Sequence, residues 1–172
     1  MIRARKLANI HKKRSIRPLY SHHQATPYAA FLDTASVGST VIYPGMVATQ
    51  IGATEKVGLC INTTAAGPFG LFANFINGDM DELGDGTEVG VWRGGRDATF
   101  EVLSLALEAD SWTGAAAANT PVYVSANGKL TLTGTPGTHN VVGRLMEAPS
   151  NNKIVITLAL QGIQSAGSPG AL

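Results

Sequence analysis

From about Val37 to about Leu160, the apolar residues come in runs of strand length, and Gly, Pro, Asn and Asp break them before a long helix can form. A chain divided this way closes its backbone hydrogen bonds between segments, which points to an antiparallel sandwich or barrel. The expected strands are Met46 to Ile51, Val57 to Asn62, Gly70 to Ile76, Glu88 to Arg93, Ala98 to Leu105, Val122 to Ala126, Lys129 to Thr133, Val141 to Glu147 and Lys153 to Leu160. The segment Glu101 to Ala109, EVLSLALEA, has helix propensity, but the β-branched and aromatic residues just before it favour a strand. No repeat of solenoid or propeller length is visible.

The sharpest local signal is PVYVSANGKLTLTG, in which Asn127-Gly128 predicts a two-residue type I′ turn between alternating strands. That turn pairs Ala126 with Lys129, Ser125 with Leu130 and Tyr123 with Leu132, placing Tyr123, Leu130 and Leu132 on one core-facing side. In the final strand Ile154, Ile156, Leu158 and Leu160 alternate with Lys153, Val155, Thr157 and Ala159. This strand is expected to pair with NVVGRLMEA across Pro149 to Asn152.

With 172 residues, 44% hydrophobic and 15% charged, the chain is long and apolar enough for one domain with a real core, stable without disulfides or metal. The single cysteine, Cys60, lies between Leu59 and Ile61 and reads as a buried thiol matured in a reducing compartment; a reactive thiol is the sharper alternative. The apolar stretches fall short of the ~20 residues of a membrane-spanning helix, and no positive segment leads into a signal-peptide core. The expectation is a protein neither membrane-spanning nor secreted by that route.

The formal net charge of +1 hides a division. Arg3, Arg5, Lys6, Lys12, Lys13, Arg14 and Arg17 all precede the first acid, Asp33, so the first 32 residues carry +7. The rest has six basic and all twelve acidic residues, hence −6. The expected organisation is a basic extended arm over 1–36, a β-domain over 37–162 and a flexible C-terminal tail over 163–172. Such an arm repels itself and calls for an anionic partner, either nucleic acid or an acidic groove on protein. The apolar residues scattered through it, among them Ile2, Ile10, Ile16, Leu19 and Tyr20, favour a protein groove. Pro18 and Pro27 exclude a long helix there. A solvated tail with no partner is the competing reading.

The residues that might carry chemistry give little. Asp79, Asp81, Glu82, Asp85 and Glu88 form the best cation candidate, but counted from Asp79 a calcium loop meets Leu83 at its fifth position and Gly90 at its twelfth. The cluster reads instead as an interfacial acidic loop. His11, His22, His23 and His139 have no carboxylate or cysteine close in sequence, so zinc is not expected. GVWRGGRD lacks phosphate-loop spacing, and no serine lies in GxSxG. No cofactor, metal or catalytic residue is assigned.

The order of elements resembles the head decoration, or cement, proteins of tailed bacteriophages. The similarity lies in VIYPGMVATQIG, GPFGLFANFINGDMDEL, GTEVGVWRGGRDATFEV and the closing PVYVSANGKLTLTG with VVGRLMEAPSNNKIVITLAL, covering roughly Val41 to Leu160. The resemblance implies an all-β body, an antiparallel β-barrel or β-sandwich, bound to the outside of a capsid. It further implies a homotrimer bridging major capsid protein subunits in a virion assembled in the host cytoplasm, without enzymatic activity. Arg3, Arg5, Lys6, Lys12, Lys13, Arg14, Arg17 and Tyr20 are then the candidate capsid-binding residues. The alternatives are a nucleic-acid-binding protein, disfavoured by an acidic body with 6% aromatic residues, and a β-domain of a phage tail or connector.

Overall fold

The structure, a computed structural model, describes residues 16–19, 25–77, 87–94, 98–109, 112, 116–150 and 153–161. Two β-layers enclose one core. The first is a closed barrel of β2 (Ala25–Leu32), β5 (Lys56–Leu59), β4 (Val47–Gln50), β6 (Gly70–Phe72) and β8 (Glu88–Gly94). The second is a six-stranded sheet in the order β1 (Ile16–Leu19), β9 (Thr99–Leu103), β13 (Lys153–Gln161), β12 (Val141–Leu145), β10 (Pro121–Val124) and β11 (Leu130–Thr131). A small pair, β3 (Val41–Ile42) with β7 (Ile76–Asn77), lies outside both. Every pairing is antiparallel except β2 with β5.

Alternation positions the core. In β2, Ala30 and Leu32 are buried while Pro27, Ala29 and Phe31 are exposed. In the six-stranded sheet Phe100 and Val102 of β9, Ile154, Ile156 and Leu158 of β13, and Leu145 of β12 are all at most 2% exposed. These side chains receive the barrel, whose Trp92 ring lies 6.0 Å from that of Phe100 at an interplanar angle of 54°. The helical turn α1 (Thr34–Val37) carries the chain from β2 toward β3. It begins at Asp33, whose carboxylate accepts a hydrogen bond from Ser36 N at 3.1 Å.

All nine expected segments hold a strand, with shifted ends. Gly70 to Ile76 is divided into β6 and β7, because Ala73 N bonds Gly90 O while Asn74 Oδ1 accepts from Gly90 N at 2.6 Å, turning the chain out of the barrel. Ala98 to Leu105 is a strand only to Leu103; a 3-10 turn, Ser104–Ala106, follows.

The hairpin forms with a different turn. Gly128 has φ +73°, but Asn127 does not have positive φ, Asn119 being the single non-glycine residue that does among those described. Gly128 N donates to Ser125 O and Ser125 N to Lys129 O, so the loop has three residues and a glycine bulge rather than the two of a type I′ turn. The Ser125 hydroxyl secures it by accepting from Asn127 N and Lys129 N. One additional loop residue moves the register: Val124 faces Leu130 and Tyr123 faces Thr131, in place of Ser125 with Leu130 and Tyr123 with Leu132.

The stretch 16–36, read from sequence as part of the arm, supplies β1, β2 and all of α1 but its last residue, Val37. β2 pairs with β8 over seven positions, from Ala25 opposite Gly94 to Phe31 opposite Glu88. The C-terminal residues 163–172 lie outside the described residues.

Candidate interaction surface

The arm meets the body at β1. Ile16, Arg17, Pro18 and Leu19 face Val102, Glu101, Phe100 and Thr99 of β9, which makes β1 an edge strand. Pro18 is tolerated there because an edge strand has a side on which a missing N–H breaks no ladder. Ile16 packs against the core, whereas Arg17, one residue on, takes the opposite face.

On that outer face three strands bring three charges together. Glu101, in the middle of β9, has a side chain only 11% exposed. Its Oε1 accepts from Arg17 Nε at 2.8 Å and its Oε2 from Arg17 Nη2 at 3.1 Å, a two-pronged grip. Lys153 Nζ of β13 donates to the same Oε2 at 3.0 Å. The Arg17 hydrogen bonds hold the Glu101 carboxyl below its usual pKa, against the opposing effect of burial and with help from Lys153. A buried carboxylate is stable here because both oxygens are occupied by cations. A pull on the arm is therefore carried past β1 to β9 and β13, the second and third strands of the sheet.

Apolar side chains flank this cluster. Register places Glu101 opposite Val155 and Lys153 opposite Leu103, and Met146 N donates to Val155 O. Leu103 is 36% and Met146 52% exposed, so the end of the sheet reached by the arm combines ion pairs with uncovered hydrocarbon.

Of the eight candidate capsid-binding residues, Arg17 is the one within the described structure, and it grips Glu101. Arg3, Arg5, Lys6, Lys12, Lys13, Arg14 and Tyr20 lie outside the described residues, as do Asp79, Asp81, Glu82 and Asp85 of the acidic loop. Three of the four histidines also lie outside; His139 accepts a hydrogen bond on Nδ1 from Thr135 N at 3.1 Å and fixes a turn. Cys60 is fully buried, and burial pushes its thiol up to about 12. Sequence reasoning did not single out Glu101 or Lys153. The available signal was one acid inside the apolar strand TFEVL, which demands a buried partner.

A family model described as phage cement protein matches residues 1–171. The chain belongs to the phage cement protein family. The match spans the basic arm as well as the β-body, so both are parts of the cement protein. No curated protein matches the chain. A solved structure from Mycobacterium phage Patience is similar at 13% identity with a TM-score of 0.43, covering 87% of this chain and 99% of that one. The cement protein is a structural component of the phage capsid.

Proposed function

We propose that this cement protein binds the outer surface of the capsid by laying its basic arm across neighbouring major capsid protein subunits. The observation that carries the reading is the fastening of β1: a ladder to β9 and the Glu101 cluster tie the arm's end to β9 and β13. Residues 1–15 then bring six cations and no acid to a partner, with Ile2, Leu7 and Ile10 as anchors. Charge steers the encounter and the apolar side chains set residence time. Contacts made only in the assembled shell stabilise it by mass action, without chemistry, so the protein is assigned no enzymatic activity.

In this reading the protein acts as a homotrimer on the capsid exterior, assembled in the host cytoplasm. Three arms raise avidity well above that of one. Nucleic acid is not the partner, since residues 33–172 carry −6 and would repel phosphate. The test is occupancy on capsids assembled without the protein. Deleting residues 1–15, which leaves β1 in place, is expected to reduce binding sharply, as is the combined change Lys12→Glu, Lys13→Glu and Arg14→Glu, with the body still folded. Undiminished occupancy of both variants would refute the role of the arm.

A further inference from the structure

A second surface feature lies at the end of β8. Arg93 is exposed, and its Cζ lies 4.0 Å from the centroid of the Phe69 ring and 5.7 Å from that of Tyr28. The two rings, both half-buried, meet edge-on at 5.4 Å and 76°. The stem is confined as well: a Cβ added at Gly70 would lie 3.3 Å from Arg93 Cγ. The guanidinium is thus held on a two-ring platform. Its hydrogen-bonding edge is unspent, because among the described residues Arg93 has no acceptor and no ion-pair partner. Arg17 and Lys153 differ in sharing Glu101, and Arg144 in donating to Asn119 O; Lys129, whose Nζ lies 6.0 Å from the Tyr43 ring centroid, is an ammonium without the guanidinium fork.

We propose that Arg93 is a preset anchor for a carboxylate side chain of the major capsid protein. The inference rests on the reading of this chain as a capsid-binding cement and adds a contact distinct from the arm. A guanidinium grips a carboxylate with two parallel hydrogen bonds, a geometry that ammonium lacks. An arginine already held by aromatic rings surrenders little further rotamer freedom on binding. Arginine with tyrosine is also the composition of interface hot spots. A phosphate backbone is a poorer occupant, since binding it takes several cations along a track and this body is acidic overall.

The experiment titrates wild type, R93A, R93K and F69L onto capsids of the same phage assembled without this protein. R93A is expected to bind about 30-fold more weakly, the effect of losing a hot-spot side chain. R93K is expected to fall nearly as far because it lacks the fork, and F69L to lie between, with melting temperatures of both Arg93 variants near wild type. Wild-type binding with an unchanged R93A titration overturns this inference alone, as does R93K matching wild type. Loss of duplex DNA binding by R93A with capsid titration intact overturns it in favour of a phosphate site. Failure of wild type itself to bind capsids removes the parent reading and this one with it.

Discussion

Replacing Glu101 with Gln keeps the side chain's size and removes the charge that holds β1 down. Three donor contacts converge on this carboxylate, at 2.8, 3.1 and 3.0 Å. Each hydrogen bond to a charged group is worth roughly 1.5–3 kcal/mol when desolvated. The donors are less buried than the acceptor, with Arg17 65% and Lys153 35% exposed, so both regain water when released. The net loss is therefore about 1–2 kcal/mol, spent mainly on the docking of β1. At ~1.4 kcal/mol per factor of ten, β1 should open about 5- to 30-fold more often. Hydrogen exchange at the amides of Arg17 and Leu19, which face β9, reads this directly, with Val124 as a control remote from the cluster. The pH dependence follows from the same group. Its folded pKa lies below the ordinary 4.5, so the contribution is complete above that value and is lost as the pH falls through the folded pKa. Wild-type protection of β1 should decline in that acid range, and that of Glu101→Gln should not. Equal exchange in the two proteins at neutral pH would refute the latch.

Other consequences are local. Gly143→Ala sets a Cβ 2.1 Å from Thr157 O, backbone of the neighbouring strand at a register shift, and should cost about 3 kcal/mol or more by urea unfolding. Gly128→Val puts a β-branched residue at φ +73° with its Cβ 2.4 Å from Leu59 Cδ1, for a loss of about 2–4 kcal/mol; an unchanged melting temperature would rule out the bulged turn. Cys60 should resist a thiol reagent at pH 8 in the native protein and react once unfolded, since burial at 0% exposure and a pKa of about 12 leave no thiolate.

Local patterning made the body's strands legible, because turn residues bracket short alternating apolar runs, whichever strands those runs pair with. What escaped was non-local. The strand ATPYAAFL reads as arm because it follows the cations and contains Pro27, yet it pairs with β8, more than fifty residues away. Pro27 fits because the β5 ladder on its other side covers only Phe31 and Leu32. The hairpin turn was misread by one residue: Asn-Gly satisfies both turn types, and the Ser125 hydroxyl, accepting from two loop amides, favours the longer one. The Glu101 cluster joins residues 17, 101 and 153, a combination that no spacing rule in a single sequence reveals.

The central claim is that this chain fastens to the outside of a capsid through its arm. The most direct measurement is cryo-electron microscopy of capsids assembled without the protein and then saturated with it. The account predicts density for the β-body on the outer surface, with residues 1–15 extended over the major capsid protein and the Glu101 cluster at their root. Density on the inner surface, or a bound body whose arm touches no capsid subunit, would contradict it.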